Sequence, residues 1–127
     1  MPEKHLYEYA VIRVVPKVER DEFINVGVIL FSKGAKYIRM KCRLESADFV
    51  KFSDELDLEL VANTLRSFEK ICNGQSEGGQ IALLDIPERF RWLTAVRSTC
   101  IQTSRPHCGF TDNLDKKVDN LFQELVL

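Results

Sequence analysis

The chain has 127 residues, 45% hydrophobic and 29% charged, and 18 Lys and Arg against 19 Asp and Glu leave a formal net charge of -1 at pH 7. This length suits one core, so residues 1–127 are expected to form a single domain. The charge balance excludes an overall attraction to nucleic acid or to an anionic membrane. Every apolar run is too short for a transmembrane helix, and MPEKHLYEY lacks the hydrophobic segment of a signal peptide, so we expect a cytoplasmic protein without membrane association.

Three strands are predicted in the first third of the chain. Residues 6–15, LYEYAVIRVV, are apolar on both faces, which is typical of a central strand. Residues 23–31 form the second strand, and SKGA, with Gly34 free to take a positive φ, turns the chain into the third, KYIRMKCRL. The third strand alternates apolar side chains with a polar row and is predicted to be an edge strand; the row comprises Tyr37, Arg39, Lys41 and Arg43.

The second strand contains two residues that strands usually avoid, Asn25 and Gly27. Simple alternation places one set of side chains on each face, with Ile24, Val26, Val28 and Leu30 opposite Asn25, Gly27, Ile29 and Phe31. We expect Gly27 either to admit an aromatic ring, such as Tyr9 or Trp92, or to mark a β-bulge. Asn25 is expected to satisfy backbone groups where the chain enters the sheet.

Helices are predicted in the remainder. A short helical piece contains Phe49 and Val50, and apolar residues at spacings of three and four predict a long helix over 54–73 that ends at Asn73-Gly74. Residues 81–86, IALLDI, are strand-like. Pro87 then lies in the first turn of a second helix, whose inner stripe is Phe90, Leu93, Val96 and Cys100.

The end of the chain is predicted to hold one more helix. Residues 100–105, CIQTSR, are expected to be a short strand or an extended strip, and the helix begins at Thr111 or Asp112. Its inner face consists of Leu114, Val118, Leu121, Phe122 and Leu125. The order of elements predicts an α+β fold, in which a small antiparallel sheet of three main strands, with 100–105 as a short fourth, packs against three helices.

The cysteines give no metal signature. They lie at 42, 72, 100 and 108 without a CxxC pair, so no zinc site is predicted, and in a reducing compartment they are expected to be free thiols, most of them in the core. His107 beside Cys108 lacks a second pair of ligands. We therefore predict no metal and no cofactor.

Polar residues near strand ends define the candidate ligand site. Arg13 lies among aromatic and β-branched residues, where a cation needs a carboxylate or a bound anion. A pair with Glu22 would satisfy it structurally. An anion pocket would need further guanidinium groups, which bind carboxylate or phosphate through paired hydrogen bonds. The predicted ligand-binding residues are Arg13, Glu22, Asn25, Arg97, Ser104, Arg105 and His107.

Catalysis and nucleic-acid binding have weaker support. Ser104, His107 and Asp112 lack a nucleophile elbow, and the chain contains no phosphate-binding loop, GxGxxG turn or HExxH helix. The row of Tyr37 and three basic residues has the groups that a single-stranded nucleic acid contacts. At a net charge of -1, protection of a sheet edge is the favoured interpretation of that row.

Four motifs carry a family resemblance: YxxxRxxP at 9–16, EFxNVGVIL at 22–30, RWLTAV at 91–96 and SRPxxGxxD at 104–112. Over nearly its whole length the chain resembles the bacterial family called domain of unknown function 3037. The resemblance implies a small stand-alone bacterial protein without an assigned activity, encoded beside HipA-like kinases. It therefore implies a kinase partner or a toxin–antitoxin type of pair.

The sequence thus favours an accessory or regulatory module that binds a protein partner over an enzyme. The alternative is a protein that binds an anionic ligand, phosphate or nucleotide, or a small enzyme with a pocket built from Arg13, Glu22 and Asn25. The apolar residues 125–127 are expected to dock on the domain's own sheet or on a partner, since an apolar side chain contributes roughly 1.5–3 kcal/mol when fully buried.

Overall fold

The computed structural model describes residues 3–16, 22–45, 57–95 and 100–127. Its strands are β1 (His5–Val14), β2 (Ile24–Ser32), β3 (Tyr37–Cys42), β4 (Ile101–Thr103) and β5 (His107–Thr111), and its α-helices are α1 (Leu58–Cys72), α2 (Ile86–Leu93) and α3 (Leu114–Leu125). The strands pair antiparallel in one sheet, so the predicted α+β fold is confirmed with one strand more than expected. The helical piece predicted around Phe49 lies outside the described residues.

β1 is the central strand, as its two apolar faces predicted. β2 pairs along one side of it, and β3 lies beyond β2 at the edge of the sheet. On the other side, β4 pairs with residues 12–14 of β1 and β5 pairs with residues 5–9. β4 and β5 therefore lie end to end along one sheet edge.

Helices cover both faces of the sheet. α1 and α2 pack on one face through Val61, Leu65 and Phe90, against Ala10, Ile12 and Ile29 among others. α3 packs on the opposite face, where its apolar stripe meets Tyr7, Val28 and Leu30; the stripe consists of Leu114, Val118, Leu121 and Phe122. Burial on both faces explains why β1 and β2 lack the alternation of a half-exposed strand.

A β-bulge in β2 corrects the predicted faces of this strand. Ile12 lies opposite Gly27 and Arg13 lies opposite Asn25, so Val26 is an extra residue on β2. A bulge shifts side chains N-terminal to it to the other face. Ile24 and Val26 consequently pack with α1 and α2, whereas Val28 packs with α3, so the prediction of a single face for all three was wrong.

The hairpin between β2 and β3 is confirmed, but its strained residue is Lys36 rather than Gly34. Lys36 has a φ of +52° and donates its backbone N–H to the carbonyl of Lys33 at 3.2 Å. The left-handed region costs a residue with a Cβ about 1–2 kcal/mol. The expectation from the sequence was wrong because Gly34 lies in the turn but does not occupy the position with a positive φ.

We expect Lys36→Gly to raise the free energy of unfolding by about 0.5–1 kcal/mol, because relief of the left-handed strain exceeds the entropy that glycine adds to the unfolded chain. Urea unfolding followed by circular dichroism measures the change. Lys33→Gly, at a position without positive φ, should lower stability instead. A Lys36→Gly protein less stable than the parent would contradict this account of the turn.

α1 begins at Leu58, later than the predicted start at residue 54, and its end follows the sequence signal. The Asp57 carboxylate accepts the backbone N–H of Leu60 at 3.1 Å, which caps the start of the helix. At the other end Gly74 takes a φ of +68°, and the Gly74 and Gln75 amides donate to the carbonyls of Ile71 and Lys70 at 3.1 and 2.9 Å. This pair of bonds is a Schellman motif, so the predicted stop at Asn73-Gly74 is confirmed.

Three predicted elements after α1 need correction. The strand-like residues 81–86 include part of a 3-10 turn, Gln80–Leu83, instead of a strand. α2 ends at Leu93, where the Thr94 hydroxyl donates to the carbonyl of Phe90 at 2.9 Å, so Cys100 is not part of its stripe. α3 begins at Leu114, because the Asn113 side chain accepts the Lys116 amide at 3.0 Å, and Thr111 belongs to β5.

Candidate functional site

Arg13 and Asn25 are brought together at the end of the sheet where β1 finishes. They are cross-strand partners between β1 and β2, and Gln102 of β4 lies opposite Arg13 on its other side. Alternation along β1 places Arg13 on the same face as Tyr7, the face that α3 covers. Two of the predicted ligand-binding residues are therefore neighbours.

The guanidinium of Arg13 packs on an aromatic ring. Its Cζ lies 4.3 Å from the centroid of Phe23, a cation–π contact worth about 0.5–1 kcal/mol at an exposed site. Its Nε is buried and finds no hydrogen-bond partner in the part of the chain that the structure describes. Glu22 is exposed, and within the described ranges no ion pair joins it to Arg13, so the expected structural pair is not formed.

Asn25 connects the sheet to the end of α3. Its Nδ2 donates to the carbonyl of Leu125 at 3.0 Å, and Leu125 is in the last turn of the helix, where carbonyls lack intrahelical partners. The side-chain Oδ1 is buried and accepts no hydrogen bond from the residues within the described ranges. Asn25 thus satisfies a backbone group, as expected, although that group belongs to a helix distant in sequence.

The other predicted site residues lie along the opposite edge of β1. Ser104 and Arg105 connect β4 to β5, and His107 begins β5 with its ring 5.4 Å from that of Tyr9. Arg105 and His107 are exposed, and Arg97 lies outside the described residues. Arg13 and Asn25 adjoin, but the members of the set that the structure describes do not form one convergent pocket.

Ser104 has a structural role at the junction of β4 and β5. Its hydroxyl oxygen accepts the N–H of Val11 at 2.9 Å, and its own N–H donates to the carbonyl of Val11 at 2.8 Å. The hydroxyl also donates to the carbonyl of Arg105 at 3.2 Å. A buried side chain therefore replaces a backbone acceptor where the edge strand is interrupted before Pro106.

We expect Ser104→Ala to lower the free energy of unfolding by about 1–2 kcal/mol, because it leaves the buried N–H of Val11 without an acceptor. Chemical denaturation measures the loss. Ser67→Ala, on the exposed side of α1, is the matched control and should change stability by less than about 0.5 kcal/mol. Equal effects of the two substitutions would show that the Ser104 bond contributes nothing.

The basic row on β3 faces acidic residues of α3. The Tyr37 hydroxyl donates to Asp115 Oδ1 at 2.6 Å, Arg39 lies 3.4 Å from the same oxygen, and Lys41 Nζ lies 3.1 Å from Asp119 Oδ1. Burial and the bond to Asp115 raise the pKa of Tyr37 to about 12. These pairs occupy the groups that a nucleic acid would need and leave β3 a charged edge.

The thiols offer little nucleophilic character. Burial, with the carboxylate of Glu69 in addition, raises the pKa of Cys42 to about 12, and burial raises that of Cys72 to about 12. A thiol with a raised pKa is scarcely ionised at neutral pH. Cys108, in contrast, is exposed on β5. In the part of the chain that the structure describes, no group of three potential ligands is arranged to hold a metal.

β5 is an edge strand that the sequence did not predict. Pro106 and Gly109 read as breakers, but Pro106 precedes the strand and Gly109 pairs with Tyr7. A Cβ on Gly109 would lie 2.6 Å from the Tyr7 hydroxyl oxygen, so only glycine leaves room for the buried ring. Tyr7 and Gly109 are about a hundred residues apart in the chain, so no local sequence pattern indicated that they would pair.

A cross-strand apolar pair is exposed where β5 meets β1. Leu6 and Phe110 are register partners, and they are 55% and 68% exposed, respectively. Leu6 also borders an open cleft of about 840 Å³, whose other lining residues include Glu8, Phe31, Ser32, Lys33 and Cys108. This part of the sheet face is not covered by α1 or α2, which pack nearer β2 and β3 and the other end of β1.

Comparison with known proteins identifies a family and nothing more specific. A family model described as "Protein of unknown function (DUF3037)" matches residues 9–126. No curated protein and no solved structure matches the chain. Within the described residues, no helix has the length and apolar character needed to span a membrane.

Proposed function

The chain belongs to the family described as protein of unknown function DUF3037, and we propose that it is an accessory module that binds a protein partner through the outer edge of β5. The partner contributes an extended segment that continues the sheet beyond β5. Its apolar side chains cover Leu6 and Phe110. The observation that carries the proposal is the difference between the two edges of the sheet.

The edge formed by β3 is protected against strand addition. Arg39 and Lys41 of this strand form ion pairs with α3, and charged side chains on an edge strand oppose pairing with another chain. β5 carries no Lys, Arg, Asp, Glu or Pro within its five residues. An uncharged edge strand beside exposed apolar side chains is the arrangement that proteins use to bind an extended segment through main-chain hydrogen bonds.

The apolar pair supplies the energy for such binding. Covering a leucine or phenylalanine side chain completely contributes roughly 1.5–3 kcal/mol, and Leu6 and Phe110 are both more than half exposed. Charges around the adjacent cleft are mixed, with Glu3 and Glu8 near Lys4 and Lys33. A partner segment is therefore selected by its backbone and its apolar side chains more than by its charge. A kinase-like protein, the partner that the family resemblance implies, is our candidate for its source.

The test starts with the protein purified gently from its own host, so that a companion polypeptide is identified by mass spectrometry and then prepared separately. We expect Phe110→Lys to weaken binding of that companion by about tenfold or more, because an apolar contact worth at least about 1.4 kcal/mol is lost. Leu60→Lys is the matched control, since Leu60 is 54% exposed on α1. It should leave the affinity unchanged.

Hydrogen exchange distinguishes the two edges in the purified complex. Amides of residues 107–111 should become protected on binding, while those of residues 37–42 should not change. Protection at β3, or full affinity in Phe110→Lys, would contradict the proposal. So would a dimer of this chain that Phe110→Lys dissociates, because a second copy would then occupy the β5 edge.

A second candidate function is the binding of a phosphate or nucleotide at Arg13 and Asn25. The supporting observation is that Arg13 and Asn25 lie opposite each other on neighbouring strands, and that Arg13 Nε and Asn25 Oδ1 are both buried without a hydrogen-bond partner among the described residues. Arg13→Met keeps an apolar stem on Phe23 and removes the charge. If pyrophosphate or AMP raises the melting temperature of the parent but not of Arg13→Met, this function gains support; equal shifts for both proteins would exclude it.

A further inference from the structure

A second cleft lies between the β2–β3 turn and the start of α2. Its volume is about 430 Å³, within the range of sites that bind small molecules. It does not include Arg13 or any residue of β5, but it shares Lys33 with the cleft beside Leu6. Its lining residues are Lys33, Lys36, Asp85, Ile86, Pro87 and Arg89.

The charges of this cleft are unbalanced. Among the described residues that line it, three are cationic and one is a carboxylate, in a protein whose net charge is -1. Asp85 is already engaged, because its Oδ1 accepts the backbone N–H of Glu88 at 3.1 Å. Across the described ranges, no ion pair involves Lys33, Lys36 or Arg89. Positive charge at the cleft therefore exceeds what its own carboxylate neutralises.

Arg89 is the most constrained of the three cations. Its Nε is buried and has no hydrogen-bond partner among the described residues, and its Nη1 makes a long bond of 3.5 Å to the carbonyl of Ala82. The guanidinium fills the space that a side chain at position 74 would need, since a Cβ on Gly74 would meet Arg89 Nη1. A guanidinium has five N–H donors, and a partly buried one with so few acceptors is costly unless an anion approaches it.

The two lysines are held at opposite ends of one tight turn. The bond from the Lys36 amide to the Lys33 carbonyl closes the turn, and Lys36 keeps its left-handed φ of +52°. Residues held in such sparsely populated conformations occur preferentially at sites that bind ligands. Both lysines thereby line the same cleft.

The start of α2 contributes apolar surface to the cleft but few free backbone N–H donors. Asp85 takes the N–H of Glu88, and Pro87 has no N–H to offer, so few amides remain for an anion. Ile86 and Pro87 instead contribute apolar surface to the cleft. Attraction for an anion must therefore come from the side-chain cations, whereas the apolar surface of the cleft suits an apolar part of the ligand.

We propose that this cleft binds an organic anion: a phosphate or carboxylate group held by Lys33, Lys36 and Arg89, attached to a ring or alkyl chain that packs on Ile86 and Pro87. The anionic group neutralises the surplus charge. The apolar part distinguishes such a ligand from free inorganic phosphate. The site does not include Leu6 or Phe110, the apolar pair of the partner surface on β5.

The experiment is a two-dimensional amide NMR titration of the full chain with phenyl phosphate. We expect saturable shifts at residues 33–36 and 85–89. Benzyl alcohol, which lacks the charge, and inorganic phosphate, which lacks the ring, should each bind at least about tenfold more weakly, a difference of about 1.4 kcal/mol. The double variant Lys33→Gln/Lys36→Gln should weaken phenyl phosphate binding by about tenfold or more.

The matched control is Lys70→Gln/Lys116→Gln, which removes the same charge from exposed lysines of α1 and α3. It should bind phenyl phosphate as the parent does, and the dispersion of the amide spectrum verifies that each variant is folded. Shifts centred elsewhere, equal binding of benzyl alcohol or inorganic phosphate, or full affinity in the Lys33→Gln/Lys36→Gln protein would each overturn the proposal.

Discussion

Replacing Gly27 with alanine is expected to lower the free energy of unfolding by about 2–3 kcal/mol, near the upper end of the usual cost of overpacking a core. A Cβ at this position would lie 2.7 Å from Cys42 Cβ and 2.8 Å from the carbonyl oxygen of Lys41. One of these atoms is backbone within the β2–β3 ladder, so neither strand relaxes cheaply. The Val26 bulge holds β2 close to β3 here, with the Arg43 amide bonded to the Val26 carbonyl at 2.7 Å.

Gly34→Ala is the matched control for this substitution. A Cβ on Gly34 has no heavy atom within 4 Å, and its φ is not positive, so alanine there should be neutral or stabilise the protein by up to about 1 kcal/mol. Urea denaturation of the three proteins provides the comparison. If Gly27→Ala and Gly34→Ala had the same stability, close strand approach would not be the reason for glycine at position 27.

Alkaline pH is expected to destabilise the protein through the buried thiol of Cys72. Burial raises its pKa from 9.0 to about 12 in the folded chain. Because the folded pKa lies above the unfolded one, the thiol's contribution is fully present below pH 9 and is lost as pH rises through 12. At about 1.4 kcal/mol per pKa unit the whole contribution approaches about 4 kcal/mol, of which roughly 2–3 kcal/mol is lost by pH 11.

The difference between variants isolates this thiol from other groups that titrate at high pH. Cys72→Ala lowers stability at neutral pH by leaving a small cavity, but its stability should fall less steeply between pH 8 and pH 11 than that of the parent. Cys108→Ala removes an exposed thiol and should keep the parent's slope. Urea denaturation at several pH values in the presence of a reductant gives the three profiles. Parallel profiles for the parent and Cys72→Ala would contradict the predicted ionisation.

Several residues that carry the family resemblance have structural roles. Gly27 admits β3, Asn25 holds the end of α3, Ser104 joins β4 to β5, and Gly109 accommodates Tyr7. These roles explain residue types that strands otherwise disfavour. They also weaken the case for the predicted ligand pocket, because the Ser104 hydroxyl and the side-chain nitrogen of Asn25 already form hydrogen bonds with the protein's own backbone.

The proposed binding surfaces lie where sequence patterns were uninformative. Phe110 stands in a stretch with Pro106 and Gly109 that resembles a loop, and its exposure depends on how far α1 and α2 extend over the sheet. Lys33 and Lys36 are ordinary surface residues in the sequence, and Arg89 is distant from them in the chain. Their common cleft exists only because α2 begins beside the β2–β3 turn.

By itself the sequence determined the α+β class, the central position of β1, the edge position of β3 and the end of α1. Each depends on local or periodic information: apolar residues on both faces, alternation along a strand, and a glycine after the last helical turn. Only the tertiary structure decided the faces of β2, the pairing of β5 and the partners of Arg13 and Asn25. A single bulged residue reverses the faces, and strand pairing and side-chain contacts join residues about a hundred positions apart, which no local pattern encodes.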